Sequence, residues 1–193
     1  MIPKVIHYCW FGKKELPTQY KEYMKSWKKY CPDFHIVQWN EDNFDINSNQ
    51  YCRQAYDSKQ WAFVSDFARL KIIYENGGIY LDTDVELVKT IDDLLTNKAF
   101  IGFQNAYEVN TGLGFGAEQH NEAVKEMLSL YEHRKFISIN GEYNKIPCPA
   151  TNTVALMNCG LKIGSSGSQD IQYLTDITVY PEVYFNPMNR NNC

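Results

Sequence analysis

The sequence lacks every signature of a membrane-spanning chain. Its apolar runs stop well short of the roughly 18–20 residues that a spanning helix needs. The N-terminal MIPKVIHYCWFGKK is one short apolar run broken by His7 and Trp10, without a long hydrophobic region or a small-residue cleavage site. It reads as a first strand. Basic stripes are missing as well: 19 Lys and Arg against 23 Asp and Glu give a net charge of −4, with the lysines dispersed. This gives no field that would gather nucleic acid. The six cysteines form no CxxC pair, so reduced thiols are expected rather than a disulfide framework or a zinc site. No internal repeat or low-complexity tract is visible. These absences imply a soluble chain with a cytoplasmic location, peripheral membrane association being left open.

What is present is core. Across 193 residues, 44% are hydrophobic and 15% aromatic, enough for one domain of ordinary size. A single domain over 1–193 is expected. Strand and helix signals alternate in an α/β order: Pro3 to Trp10 as strand, Pro17 to Tyr30 as helix, Phe34 to Trp39 as strand. Asn40 to Asn49 and Ile139 to Pro149 read as loops.

The most informative helix is predicted over Gln60 to Glu75, closed by Asn76-Gly77-Gly78, where glycine can take the left-handed conformation that stops a helix. Phe63, Phe67, Leu70 and Tyr74 share one face, the expected core face. Ala62, Asp66 and Arg69 fall within about 60° of one another on a bordering stripe. Taken alone, Asp66 and Arg69 read as a surface ion pair of about 0.2–0.5 kcal/mol. The double glycine, however, returns the chain at once into Ile79-Tyr80-Leu81, which has strand character.

That apolar run ends in Asp82-Thr83-Asp84. In strand geometry residues i and i+2 point to the same side about 6.5–7 Å apart, so both carboxylates can face one hard cation such as Mg²⁺ or Mn²⁺. A bare DxD is a weak signal, and two solvated acids entering a turn is the plain alternative. Trp10, at the end of the first strand, is placed either for the core or for stacking on a base. His7 is expected to satisfy an internal hydrogen bond.

Taken together, IPKVIHYCWFG at 2–12, SDFARLKIIYENGGIYLDTDVE at 65–86 and CPATNTVAL at 148–156 resemble the DXD-containing glycosyltransferases of family 32. The middle block, an SD-x-x-R helix followed by a double glycine and Y-L-D-x-D, is the selective part. The resemblance implies a GT-A type, Rossmann-like nucleotide-sugar-binding fold with a mixed central sheet. It also implies a nucleotide-sugar donor, a glycan acceptor, Mn²⁺ or Mg²⁺, and hexosyl transfer with retention, as in capsule and other surface-polysaccharide synthesis. Carried over residue by residue, Trp10 stacks on the nucleobase, and Ala62 and Tyr80 line the donor site. Asp66 bonds sugar or ribose hydroxyls and Arg69 contacts the donor's sugar or phosphate region. Asp82 touches ribose and metal, and Asp84 binds the metal; Asp82, Asp84 and Arg69 are the catalytic set. Such enzymes complete the metal site from a C-terminal segment, so the last ligand is expected from water, from Asn186 or Asn189, or from a segment beyond Cys193. NTGLGFGAEQHN at 110–121 reads as an acceptor-side loop. Two rivals share the apolar strand ending in D-x-D: a Mg²⁺-dependent phosphohydrolase with Asp82 as nucleophile, and a binding module without turnover.

Overall fold

The computed structural model describes residues 1–164 and 167–186. In chain order the elements are β1 (Val5–Cys9), α1 (Thr18–Tyr30), β2 (His35–Trp39), α2 (Gln50–Asp57), α3 (Trp61–Asn76) and β3 (Gly78–Tyr80). They continue with β4 (Ala99–Asn105), β5 (Glu108–Val109), β6 (Phe115–Ala117), α4 (Glu122–Ser129), α5 (Cys148–Asn158), β7 (Gln172–Tyr173), β8 (Thr178–Tyr180) and α6 (Glu182–Phe185). The strands form one mixed sheet in the order β2-β1-β3-β6-β4-β8-β7, with β5 paired to β4. β1 runs parallel to both β2 and β3, and β4 parallel to β8, whereas β6 is antiparallel to its neighbours β3 and β4.

Side-chain alternation along the strands builds two cores. Ile6, Tyr8, Ile79 and Phe100 join Trp27 of α1 and Leu87 and Leu95 of the segment after β3. Cys9, Tyr80, Ile101 and Phe115 point the other way and join the buried residues of α2, α3, α4 and α5. The sheet is thus covered on both faces, which is why β1 and β3 read as short apolar runs rather than as alternating ones.

Helix α3 departs from its one-faced reading. Val64, Phe67, Ala68, Leu70, Ile72 and Ile73 are buried together with Asp66 and Arg69, while Phe63 and Tyr74 are only half-buried. The helix is clasped between the sheet, α2 and α4, so it is covered nearly all round and a single apolar stripe does not describe it. Two loop readings are also corrected. Helix α5 starts at Cys148 with Pro149 in its first turn, where a missing N–H costs nothing. Residues 115–117, inside the stretch read as an acceptor-side loop, are strand β6. Gly116 allows this, because a Cβ there would fall 2.9 Å from the Gly78 carbonyl and 2.7 Å from Phe100. The Asn40–Asn49 stretch is loop apart from one 3-10 turn at Ile46–Ser48.

The five described cysteines are free thiols; Cys193 and Asn189 lie outside the described residues. None of the helices described is long and apolar enough to cross a membrane.

His7 ties β1, β2 and the α3–β3 turn together. The Trp39 indole donates to its Nδ1 at 3.0 Å, and its Nε2 lies 3.1 Å from the Gly77 carbonyl. An acceptor role for Nδ1 fixes the proton on Nε2, so the ring must be neutral. Burial lowers its pKa from 6.5 to about 4. Gly78, at φ +97°, is required beside it, since a Cβ would come within 2.9 Å of Nε2 and 2.8 Å of the Val5 carbonyl. Between pH 6.5 and 4 the unfolded chain binds a proton at this position that the folded chain refuses, so stability rises with pH through that window and is lost as pH falls. The expected loss attributable to His7 is about 3 kcal/mol. Urea unfolding at pH 7, 5.5 and 4 should show this slope in the parent chain and a flatter one in His7→Gln; equal slopes would remove the argument.

Candidate active site

The candidate cluster forms where α3 faces the C-terminal end of β3. Asp66 and Arg69 are 8% and 4% exposed, so the surface-pair reading fails. The Arg69 Nη2 lies 3.3 Å from Asp66 Oδ1 and 3.2 Å from Asp82 Oδ1. Its Nε donates to the Ser65 carbonyl at 3.1 Å, its Nη1 to Cys148 Sγ at 3.8 Å, and its plane sits 4.9 Å from the centre of the Tyr80 ring. The Tyr80 hydroxyl donates to Asp82 Oδ1 at 3.0 Å. One cation is thus shared by two carboxylates and capped by an aromatic face. Burial raises the pKa of Asp66, with Arg69 opposing that shift, and burial pushes the Cys148 thiol up to about 12.

The two DXD carboxylates do not reach their places by strand spacing. β3 ends at Tyr80, and Thr83-Asp84 lie in a turn closed by the Val85 N–H on the Asp82 carbonyl at 3.0 Å. The Asp82 N–H bonds the Gly112 carbonyl at 3.3 Å, so the 110–114 turn takes the place of a neighbouring strand there. Asp82 and Asp84 nevertheless both line one cleft of about 590 Å³, whose other walls include Leu81, Val85, Leu113, Tyr184, Phe185 and Asn186. Asp84 is exposed, and the Asp82 side chain is 33% exposed. Phe185 stacks on Phe100 at 5.9 Å and lies where a Cβ on Gly102 would be, which fixes the far wall.

Trp10 and Ala62 do not line this cleft. Trp10 is half-buried, donates its indole N–H to the Lys14 carbonyl at 2.7 Å and packs edge-on to Tyr20. Trp61, the first residue of α3, covers Gly12, where a Cβ would fall 2.7 Å from its ring. That contact brings the α3 N-terminus, with exposed Ala62, to the loop that follows Trp10.

Residues 17–101 match the family described as glycosyltransferase sugar-binding region containing DXD motif. The match covers less than half of the chain, and over that part the chain is similar to the DXD-containing glycosyltransferases. Among relatives, inositol phosphoceramide mannosyltransferase 3 of Schizosaccharomyces pombe is 34% identical over 104 residues, 52% of this chain and 29% of that protein. The initiation-specific alpha-1,6-mannosyltransferase of Candida albicans is 27% identical over 109 residues, 51% of this chain and 28% of that protein. The chain therefore spans less than half the length of these curated relatives. Among solved structures, the PaToxG glycosyltransferase superposes with a TM-score of 0.62 at 20% identity, covering 81% of this chain and 68% of that one. The chain has the GT-A type fold expected of it.

Asp82 and Asp84 offer oxygen donors of the kind a hard divalent cation takes, and Asn186 borders the same cleft. Among the described residues no three His, Cys, Asp or Glu converge on one point. Two carboxylates would therefore hold the ion, with water and ligand oxygens completing its shell.

Residue reading missed Thr111, Gly112 and Asn152. The Asn152 Nδ2 donates to Thr111 Oγ1 at 3.1 Å, Thr111 Oγ1 lies 3.8 Å from Cys148 Sγ, and the Gly112 N–H donates to Asn110 Oδ1 at 2.7 Å. The sequence placed Thr111 and Gly112 only in the stretch read as an acceptor-side loop and Asn152 only in the CPATNTVAL block, with no role at this site. Gly112 is a tight position of the site: a Cβ would stand 2.4 Å from Asp82 Oδ2 and 3.1 Å from Arg69 Nη1. Gly112→Ala should lower stability by about 1–3 kcal/mol through overpacking and displace Asp82. Thermal melting together with Mn²⁺ titration checks this; a variant that binds the ion like the parent chain would show that Asp82 has room to give.

Proposed function

We propose that this protein is a metal-dependent, retaining glycosyltransferase that moves a hexose from a nucleotide-sugar donor to a glycan or glycolipid hydroxyl. The observation that carries this is the DXD turn itself: one carboxylate anchored to a buried arginine, the other free, both on one cleft. That division of labour suits a site that holds a cation and a diphosphate in fixed geometry. It suits a carboxylate nucleophile poorly, because Asp82 Oδ1 already has the Arg69 guanidinium and the Tyr80 hydroxyl as partners. The phosphohydrolase reading loses support for that reason.

In this reading Trp10 stacks on the base and the α3 N-terminus with Ala62 borders the donor. Asp66 accepts from sugar or ribose hydroxyls, and Tyr80 fixes Asp82. Asp82 and Asp84 hold Mn²⁺ or Mg²⁺, which when bound offsets the charge growing on a departing diphosphate. No residue is assigned as a catalytic base; front-face attack leaves the acceptor's proton to a diphosphate oxygen. The relatives named as mannosyltransferases favour mannose, hence GDP-mannose, over UDP-hexoses. The cleft walls of Leu81, Val85, Leu113 and Phe185 favour an acceptor with an apolar part, as in a surface glycan assembled on a carrier at the cytoplasmic side of a membrane.

Calorimetric titration with GDP-mannose, UDP-glucose and UDP-galactose, with and without Mn²⁺, tests the reading. One donor should bind and require the ion. Asp84→Ala should abolish that binding while shifting the melt by less than about 0.5 kcal/mol, as expected for an exposed side chain. Metal-independent binding of every donor, or of none, would count against the proposal.

A further inference from the structure

Ser26 and Trp27 are the two buried residues of α1, and both direct polar atoms at the segment that leaves the DXD turn. The Trp27 indole N–H donates to the Val85 carbonyl at 2.9 Å, and the Leu87 N–H donates to Ser26 Oγ at 2.8 Å. The Ser26 hydroxyl proton goes to the Tyr23 carbonyl at 2.6 Å, which leaves its oxygen to accept from Leu87. A carbonyl and the N–H two residues on are the groups that a neighbouring parallel strand satisfies; here two adjacent side chains of a helix do so. Trp27 packs edge-on against Tyr8 of β1, with 5.8 Å between ring centres, and is fully buried. Its place is therefore fixed by the sheet. A phenylalanine would fill that core equally well, whereas a buried indole N–H needs a partner, and the partner stands next to Asp84.

We propose that Ser26 and Trp27 are positioning residues for Asp84, holding the exit of the DXD turn while the Gly112 carbonyl holds its entry. Asp82 has Arg69 and Tyr80 on its side chain. Asp84 has no such support: it is exposed and, among the described residues, its carboxylate has neither an ion-pair nor a hydrogen-bond partner. Its place is set by the backbone on either side. At the entry the Asp82 N–H bonds the Gly112 carbonyl at 3.3 Å, and the turn closes through the Val85 N–H on the Asp82 carbonyl at 3.0 Å. At the exit the Val85 carbonyl and the Leu87 N–H are tied to α1. Val85 takes part in both fixings, through its N–H toward Asp82 and its carbonyl toward Trp27, so the peptide units next to Asp84 cannot turn over without breaking one of them. Asp84, Val85, Glu86 and Leu87 all line the cleft, so the clamp also fixes the wall on which the free carboxylate stands. This rests on the metal-binding reading of the DXD turn and adds to it a helix 58 positions upstream.

Groups that orient a metal's ligands typically change its affinity by about 10–100-fold when removed. The test follows Mn²⁺ binding without any donor, read from the paramagnetic signal of the free ion, and the exchange of the Val85 amide proton, which reports the turn with no metal present. Trp27→Phe keeps the ring and removes the N–H; Ser26→Ala removes the hydroxyl and keeps the helix. Each should weaken Mn²⁺ binding about tenfold or more. Each should also speed Val85 exchange about tenfold, because a backbone group of this segment loses its partner. Ser26→Thr, which keeps the hydroxyl, should bind the ion like the parent chain. Phe34→Leu thins the same core but removes no hydrogen bond from residues 85–87, and should leave both readings unchanged. A folded Ser26→Ala or Trp27→Phe that binds Mn²⁺ like the parent overturns the proposal. So does a Phe34→Leu as impaired as they are, which would make the effect one of core packing. If Trp27→Phe does not fold, Ser26→Ala and Ser26→Thr carry the test. A parent chain that binds no Mn²⁺ sinks the metal reading instead, and Val85 exchange then decides this one: faster in the two clamp variants alone supports it, equal in all of them overturns it.

Discussion

One guanidinium between a buried carboxylate, Asp66, and a half-buried one, Asp82, organises this site. Removing Arg69 from the cluster would leave the buried Asp66 carboxylate without its cation, a desolvation cost with no compensation. Arg69 in turn could not be buried at 4% exposure without those carboxylates and the hydrogen-bond acceptors at Ser65 and Cys148. The cluster is worth little as net stability, because replacing such groups by apolar ones is often neutral. Its worth is geometric. It links α3, the end of β3, the 110–114 turn and the start of α5 through groups that tolerate only one arrangement.

Backbone shape serves the same end. The glycine pair after α3 bends the chain back into the sheet with φ values of +67° and +97°, and the space above Gly78 is taken by His7. Gly112 gives its missing side chain's space to Asp82 Oδ2, and Gly116 lets β6 run close under Phe100 and β3. Each is a place where two segments distant in sequence come nearer than a Cβ permits. Neutral His7 belongs to this frame as well, since its two ring nitrogens read opposite roles from Trp39 and Gly77 and a second proton would set two donors against each other.

The parts legible in the sequence were those written locally. The span of α3, its glycine stop, the strand that follows and the parallel β1–β2 opening all come from periodicity and turn chemistry within about 20 residues of one another. The proximity of Asp66, Arg69 and Asp82 followed from that same short block. What was not legible is what depends on segments brought together from afar. That Asp82 leaves the strand is decided by the Gly112 carbonyl, 30 positions on. That Phe63 and Tyr74 are only half-covered is decided by how α2 and α4 flank α3. Cys148, Thr111 and Asn152 carry no motif for their task; nothing in C-P-A-T-N or N-T-G specifies which arginine they will meet.

Asp82 also stands where the two layers of the protein meet, and this explains why the site lies there. Ile79 and Leu81 face the core shared with α1, and Leu81 continues into the cleft wall, whereas Tyr80 faces the core shared with α3. Had the strand continued, Asp82 would have followed Tyr80 into the α3 layer and both its oxygens would have been consumed there. Ending the strand at Tyr80 frees the backbone to twist, so that Oδ1 stays with Arg69 while the carboxylate still borders the cleft. Asp84, released by the turn, is fully on the cleft side. The same interruption that breaks the regular spacing of the D-x-D pair therefore makes the pair unequal, one oxygen set held by protein and the other open. An unequal pair can hold a hard cation rigidly without enclosing it, which leaves coordination positions for a second, departing ligand.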